Sequence, residues 1–327
     1  MVGIKEVNVS ATRQPGKITD NTTLIDIGMQ GSYGITAVYL IRGARTCLID
    51  GGTRTEAPRL VKMLTELNAF PPDLIVVTHP HWDHAQGIPL LRQEATKRGR
   101  KIEVLAGQDA VAPLADASFN AMFGRGPIAS IQDVTPLKEG DAIDLGGVSL
   151  RIYDVPGHCR GHIAILDESN ANIFVGDAIG LKVSDDISLP PFMPPTWDPQ
   201  AFLASVDKLR QTPYETLCLA HFGCIRGNEA KSILDEAVRT CDTWWQFYAR
   251  HADRLSDLGH LLQCMRKEIS LGIPPLKPTS LPASVLLGVV TAVGAAVGRR
   301  TAIVDRLAFG DMLRWLATGY TMYASAH

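Results

Sequence analysis

The chain has 327 residues, of which 46% are hydrophobic and 20% are charged, with 32 basic residues against 34 acidic ones. This composition is typical of a folded globular protein and excludes a largely disordered chain. The charges nearly balance and the basic runs are short, as at 96–101, so the sequence gives no support for nucleic-acid binding.

The first half of the chain is predicted to alternate strands with helices. β-rich runs are separated by glycine, proline or arginine turns, and one stretch repeats apolar residues at helical spacing. A short apolar run between prolines is typical of a strand buried on both faces. The predicted elements are strands at 23–29, 35–43 and 45–52, a helix at 55–68, a strand at 72–80, a helix at 84–99 and a strand at 101–107.

After residue 130 the pattern changes to consecutive strands. Residues 140–158 predict a hairpin with a Gly-Gly turn, and residues 162–180 predict a second hairpin. A helix is predicted at 199–211 and a last strand at 215–223.

From about residue 227 onward no strand pattern remains and helices are expected, with a break at Gly310. The predicted organisation is a mixed α/β domain at 1–226 and an all-helical extension at 227–327. Within the extension, residues 281–298 are apolar but rich in small residues, and they predict a buried helix rather than a membrane span, which remains the alternative.

The six cysteines show no Cys-x-x-Cys spacing, which favours free thiols in a reducing compartment. Residues 1–17 contain no apolar core of the kind that secretory signals carry. A cytoplasmic location is therefore expected.

A cluster of metal-binding residue types directly follows LIVV (74–77), the apolar run of the predicted strand. His79, His81, Asp83 and His84 lie within six positions, where imidazole and carboxylate groups can converge on an ion such as Zn, Fe or Mn. Further histidines and an acid follow later apolar runs, so that six of the nine histidines share this placement. These later residues are His158, His162, Asp177 and His221.

Together these segments resemble the metallo-β-lactamase superfamily. The resemblance rests on THPHWDH (78–84), PGHCRGH (156–162), VGDA (175–178), AHFG (220–223) and LIDGG (48–52), and it covers about residues 20–225. It implies an α/β fold, the αββα sandwich of that family, here with an all-helical C-terminal extension after a catalytic domain at 1–226. The layout resembles the branch of glyoxalase II-like hydrolases and the quinolone-signal-response thioesterase, and GDAIG (176–180) is close to the corresponding segment of the latter.

The resemblance also implies a ligand set for two divalent ions, zinc in first place and iron or manganese as alternatives. His162 would lie outside the set and orient other residues, Asp50 would support the site from outside, and Cys159 would point away from it. The implied ligands are His79, His81 and His158 for one ion, Asp83, His84 and His221 for the other, and Asp177 as the bridge between them.

The expected activity is hydrolysis of an ester or thioester by a metal-bridged hydroxide. His81 stands where redox members of the superfamily have glutamate, which favours the hydrolytic branch, and Asp83 is expected to orient the nucleophile. Lactonase, β-lactamase and phosphodiesterase activities are alternatives within the fold. A metal-containing signalling or binding protein that acts through its helical face is an alternative of another class.

Two loops, 115–130 and 184–198, combine aromatic and thioether side chains with stiff backbone and predict an apolar wall for the substrate. The helical extension is expected to cap this wall and to support a homodimer. The candidate substrate-binding residues are Phe123, Arg160, Phe192, Met193 and Trp197.

Overall fold

The computed structural model describes residues 11–12, 14–29, 32–184, 187–221, 223–269, 277–278 and 302–326. The predicted buried helix at 281–298 lies outside the described residues. Within the described ranges, no helix is both long enough and apolar enough to cross a lipid bilayer.

The first half of the chain forms a mixed sheet, whose first strands pair antiparallel and whose last strands pair parallel. Within the described residues its strands are, in spatial order, β2 (Gly16–Lys17), β3 (Thr22–Asp26), β5 (Ala37–Arg42), β6 (Thr46–Ile49), β7 (Leu74–Val77), β8 (Glu103–Gly107) and β9 (Val134–Leu137).

The second half forms a similar sheet that also receives a strand from the N-terminus. Both predicted hairpins are present in it, as β10–β11 and β12–β13. Within the described residues its strands are, in spatial order, β1 (Ala11–Thr12), β17 (Gly223–Arg226), β16 (Thr216–Leu219), β13 (Asn172–Gly176), β12 (Ile163–Asp167), β11 (Ser149–Asp154) and β10 (Ala142–Asp144).

The helices cover the outer faces of the two sheets. The predicted helix at 84–99 is divided into two helices around Gly87, and the helix at 199–211 has the predicted bounds. The described helices are α1 (Ala57–Glu66), α2 (Trp82–Ala85), α3 (Ile88–Lys97), α4 (Val111–Ala115), α5 (Pro199–Gln211), α6 (Asn228–Arg250), α7 (Leu258–Glu268) and α8 (Ala302–Ala326).

Alternation along the strands divides the core into three layers. Leu24 and Tyr39 face the other sheet, whereas Ile25 and Leu40 face α1 and α3. The Tyr39 hydroxyl reaches the second sheet, 2.6 Å from the carbonyl oxygen of Leu219. A third cluster packs the second sheet against α5, α6, α7 and α8. The layer order is therefore helix, sheet, sheet, helix, as expected.

Several local predictions were wrong. The strand expected at 215–223 ends at Leu219, turns, and resumes as β17. The loop at 184–198 begins within a hairpin of β14 (Leu181–Ser184) and β15 (Ile187–Leu189). A two-residue strand, β18 (Lys277–Pro278), lies after residue 227 and pairs with β4 (Ser32–Tyr33).

Helix α8 also differs from its prediction, because it runs through Gly310 without a break. Gly310 is buried, so packing outweighs the cost of about 1 kcal/mol that a glycine adds inside a helix. At Gly319 the helix approaches the backbone of residues 192–193 so closely that a Cβ atom would lie 2.4 Å from the Phe192 carbonyl oxygen. Close docking of α8 therefore requires the glycine at that position.

Candidate metal centre

The metal-binding residue types gather at one edge of the two sheets. His79 and His81 follow β7, Asp177 follows β13, His221 follows β16, and His158 lies in the connection from β11 to β12. Because β7, β13 and β16 end at the same edge, their following loops meet there. The strand-then-ligand pattern of the sequence thus becomes a single cluster in space.

The first group consists of His79, His81 and His158, whose donor nitrogens lie within 4.8 Å of one another. His158 Nε2 is 2.9 Å from His81 Nδ1. All three residues are at most 3% exposed. Three imidazoles that converge in a buried position form a ready site for one divalent ion.

The second group consists of Asp83, His84 and His221, whose ligand atoms also lie within 4.8 Å of one another. His221 Nε2 lies 3.5 Å from Asp83 Oδ2, and His84 Nε2 lies 3.8 Å from Asp83 Oδ1. Asp83 is the most open member, with a side chain that is 15% exposed. Asp83 therefore lies on the solvent-accessible side of the cluster, whereas His84 and His221 are buried.

Asp177 lies between the two groups. Its Oδ2 atom is 3.5 Å from His84 Nε2, 3.5 Å from His221 Nε2 and 3.8 Å from His158 Nε2. One carboxylate oxygen thus approaches donors of both groups, which is the arrangement that a bridging ligand requires.

The outward ring nitrogens of the histidines are held by hydrogen bonds. His158 Nδ1 is 2.7 Å from the Pro191 carbonyl oxygen, and His221 Nδ1 is 2.9 Å from the Ile35 carbonyl oxygen. His84 Nδ1 is 2.9 Å from Asp50 Oδ2. Each of these acceptors holds a proton on Nδ1 and so turns Nε2 into the cluster.

Several of the inward atoms are buried and have no hydrogen-bond partner of their own. Buried polar atoms without partners are rare in proteins, and a bound cation satisfies such atoms. The residues present therefore fit divalent transition-metal binding, for which mixed imidazole and carboxylate ligands are suitable. The unpartnered inward atoms include His79 Nε2, His84 Nε2, His221 Nε2 and Asp177 Oδ1.

The electrostatics of the two groups differ. Burial and the neighbouring His158 lower the pKa of His81 to about 3, so this imidazole is neutral at pH 7. Burial alone would lower the pKa of His221, but Asp177 and Asp83 raise it to about 10. Burial likewise opposes ionisation of Asp177, yet His221 and His84 hold its pKa well below the usual range. The carboxylates thus create a field that attracts positive charge.

Two left-handed backbone conformations allow the residues around the cluster to pack closely against one another. Gly176 has φ of +52°, and a Cβ atom there would lie 2.7 Å from Thr78 Oγ1 and 2.9 Å from His162 Nε2. Asp50 has φ of +65° and accepts a hydrogen bond from the Thr78 backbone N–H at 2.8 Å. Such left-handed conformations are costly outside glycine, and they are typical of functional sites.

His162 lies beside the cluster rather than in either group. Its Nε2 accepts a hydrogen bond from the Asp177 backbone N–H at 3.2 Å, and its ring stacks on His79 with centroids 4.6 Å apart. Cys159 is fully buried, and burial raises the pKa of its thiol well above the usual value.

Aromatic side chains pack beside the first group. Phe123 lies against His81 with ring centroids 5.1 Å apart, and Phe119 stacks on His81 at 6.1 Å. Trp315 of α8 packs edge-on against Phe123 at 5.3 Å. Arg125 ties this wall to α8, because its guanidinium lies over the Trp315 ring and pairs with Asp311 at 2.8 Å.

The other predicted substrate residues lie elsewhere. Phe192, Met193 and Trp197 are buried in the core between the second sheet and its helices, and Phe192 packs against the ring of Tyr248. Arg160 is on the surface in an ion pair with Asp109. Contact of these four with a substrate remains a prediction.

Sequence reasoning missed Trp315 and Thr78. Trp315 is about 190 residues distant along the chain from Phe123, and no local pattern links the two. Thr78 is the first residue of the segment THPHWDH (78–84), but its role as a hydrogen-bond donor was not predicted. Asp50 could have indicated it, because a carboxylate at the end of a buried strand needs hydrogen-bond donors.

A profile of the metallo-beta-lactamase superfamily matches residues 31–221, which contain both groups and Asp177. The chain belongs to this superfamily. The superfamily fold accounts for the helix–sheet–sheet–helix layers and for the cluster at their edge.

Curated relatives within the superfamily include thioester hydrolases. The chain is 31% identical to the chicken (Gallus gallus) acyl-coenzyme A thioesterase MBLAC2 over 43% of this chain and 57% of that protein. It is 30% identical to a hydroxyacylglutathione hydrolase of Fuscovulum blasticum over 56% of this chain and 60% of that protein. The chain therefore covers less than two thirds of the length of either relative.

Solved superfamily structures share the fold at lower identity. The archaeal protein ST1585 of Sulfolobus tokodaii superposes with a TM-score of 0.53 at 22% identity, covering 67% of this chain and 85% of that one. The subclass B3 metallo-beta-lactamase BJP-1 of Bradyrhizobium japonicum gives 0.56 at 18% identity, covering 75% and 97%.

Proposed function

We propose that the protein is a hydrolase that uses two divalent metal ions to cleave thioesters or carboxylic esters. Zinc is the proposed metal, since imidazole and carboxylate ligands suit it, and iron or manganese are alternatives. The proposed ligands are His79, His81 and His158 for the first ion, Asp83, His84 and His221 for the second, and Asp177 for both.

The observation that carries the proposal is the position of Asp177 Oδ2, within 3.5–3.8 Å of histidine nitrogens from both groups. One group of three side chains is enough to bind a single ion. Two groups that share a central carboxylate favour two ions, in line with the shared bridge that two-metal hydrolases use.

When bound, two such ions would polarise a substrate carbonyl and lower the pKa of water by many units, toward about 7. Asp83, the most open of the seven residues, would orient the attacking water by accepting its hydrogen bond. Water would add its oxygen to the carbonyl carbon, the C–S or C–O bond would break, and the leaving thiolate or alkoxide would take up the released proton. The chain itself needs no nucleophilic side chain for this reaction.

Two observations favour thioesters within this class. Both curated relatives carry names of thioester hydrolases. The wall of Phe119, Phe123 and Trp315 offers apolar surface beside His81, where an acyl chain would lie next to its reacting carbonyl.

The test is a metal analysis combined with a substrate panel. Protein purified without chelators should contain close to two transition-metal ions in the proposed centre and should hydrolyse acyl-CoA or glutathione thioesters faster than the other substrates. Faster turnover of lactones, phosphodiesters or β-lactams would overturn the substrate class. A metal-loaded protein without turnover on any of them would favour the binding-protein alternative.

The Asp50→Asn variant should bind metal more weakly. Asp50 accepts bonds from both His84 Nδ1 and the Thr78 backbone N–H, and an asparagine has one acceptor oxygen for two donors. Loss of such an outer partner typically costs 10- to 100-fold in metal affinity, which competition with a chromophoric chelator measures.

Asp167→Asn provides the matched control, because Asp167 is also buried and accepts backbone N–H bonds, from Ser169 and Asn170, in a hairpin turn. It should change stability without changing metal affinity. Equal metal affinity in Asp50→Asn and the wild type would contradict the proposed support of His84.

Trp315→Ala should reduce activity toward long acyl chains. An apolar contact of about 1.4 kcal/mol corresponds to a factor of ten, so kcat/KM for a long-chain acyl thioester should fall roughly tenfold, while the acetyl thioester changes little. Met322→Ala is the control, since Met322 is on the same helix and is 42% exposed. A loss that is independent of chain length would argue against an acyl-binding wall.

A further inference from the structure

A second cluster of metal-binding residue types lies in the helical layer, in a different part of the chain from the proposed catalytic centre. It joins His251, at the end of α6, to His260 and Cys264 of α7. The ligand atoms of these three residues lie within 4.8 Å of one another. His260 and Cys264 are four residues apart in one helix and therefore present their side chains on the same face.

The three donors are close enough to share an ion. His260 Nε2 is 2.9 Å from His251 Nδ1, and Cys264 Sγ is 3.7 Å from the same His260 nitrogen. Tetrahedral zinc with Zn–N of about 2.0–2.1 Å and Zn–S of about 2.3 Å separates its donors by about 3.3–3.7 Å. The imidazoles need to move apart by only a few tenths of an ångström to admit the ion.

The opposite nitrogen of His251 already has the partner that metal-binding histidines usually have. His251 Nε2 lies 2.8 Å from Glu268 Oε1, which fixes the proton on Nε2 and directs the Nδ1 lone pair toward His260. Arg250 donates a hydrogen bond to the other carboxylate oxygen of Glu268 at 2.8 Å. The carboxylate is thus held in position as the acceptor for His251.

We propose that His251, His260 and Cys264 bind one zinc ion, with a water molecule as the fourth ligand. A thiolate with two imidazoles is a ligand set that selects zinc over magnesium or calcium. Binding would deprotonate the Cys264 thiol, whose proton passes to solvent. The side chains of all three residues are partly buried, so an ion can enter from solvent.

The ion would have a structural role, because it would link the end of α6 to α7. Helix α7 in turn contacts α8, the helix that carries Trp315 of the apolar wall. The proposed zinc would therefore stabilise the helical layer behind the substrate approach without contacting the catalytic centre.

Cobalt substitution of the full chain tests the site directly. The proposed catalytic centre uses only histidine and aspartate, so a thiolate-to-cobalt charge-transfer band in the near ultraviolet would report the second site alone. The band should be present in the wild type and in Cys241→Ala, a control cysteine buried in α6, and absent in Cys264→Ala. Wild-type protein without the band would overturn the proposal.

Zinc content gives a second, independent measurement. After equilibrium dialysis against micromolar free zinc, His260→Ala and Cys264→Ala should each hold one equivalent less than the wild type and Cys241→Ala. Equal zinc in all four would overturn the proposal and leave a His251–His260 hydrogen bond as the role of the pair. The difference is informative whether or not the catalytic centre binds metal as proposed.

The reactivity of the Cys264 thiol can be measured in the wild type, so that this test does not depend on the folding of any variant. Cys264 is partly exposed, whereas the other five cysteines are buried, so a thiol reagent acting on native protein should react first with Cys264. Zinc should slow this reaction in the wild type at least tenfold, in proportion to site occupancy. Zinc without effect on the rate would contradict thiolate ligation.

Discussion

Asp177→Asn should lower kcat/KM for the best thioester on the order of a thousandfold, which corresponds to about 4 kcal/mol of lost transition-state stabilisation. The Asp177 carboxylate approaches histidines of both groups, and its negative charge would be shared by both ions. An asparagine has the same shape but no charge, so both ions would bind more weakly. Steady-state kinetics and elemental analysis of the same samples measure the two effects together.

Asp242→Asn is the matched control for this substitution. Asp242 is exposed on α6, and the same chemical change there should leave metal content and kcat/KM as in the wild type. If Asp177→Asn retained normal metal content and a normal rate, the assignment of Asp177 as the bridge would be wrong.

Metal removal should abolish activity and destabilise the fold. Several inward atoms, among them His79 Nε2, His84 Nε2 and Asp177 Oδ1, are buried without partners, so the metal-free chain would carry their desolvation cost uncompensated. A ligand present at 1,000 times its dissociation constant stabilises the native state by about 4 kcal/mol. Dialysis against a chelator should therefore lower both turnover and the thermal midpoint, and added zinc should restore both.

The experiment is best done in the Cys264→Ala variant, where zinc at the proposed helical site cannot contribute. Asp177→Asn in that background should show a much smaller gain in thermal midpoint from zinc. Full activity in protein that elemental analysis shows to be free of metal would refute the proposed mechanism.

The sequence predicted the sheets, and it predicted which residues would gather at their edge, because both depend on local patterns. The apolar run before His79 and the hairpins at 140–158 and 162–180 each contain their own turn and burial signals. The position of a residue that directly follows such a strand is set by the end of that strand. Because several strands end at one edge, the candidate ligands come together there, as the distances around Asp177 show.

The features that escaped prediction depend on contacts between distant segments. Gly310 predicted a helix break, but burial of that position overrides its weak helix propensity. The pairing of Trp315 with Phe123 and the meeting of His251 with Cys264 depend on how helices dock, which periodicity within one helix does not specify. Phe192 shows the converse, since an aromatic residue in a proline-rich loop became part of the core.

Each group at the metal centre draws its donors from both halves of the chain. His79 and His81 come from the first sheet and His158 from the second, and Asp83 and His84 are completed only by His221. Neither half alone can assemble a full coordination sphere, so ions would bind only after the two sheets have met. Metal would then couple the unfolding of one half to that of the other, and a chain truncated during synthesis would capture no ion at this centre.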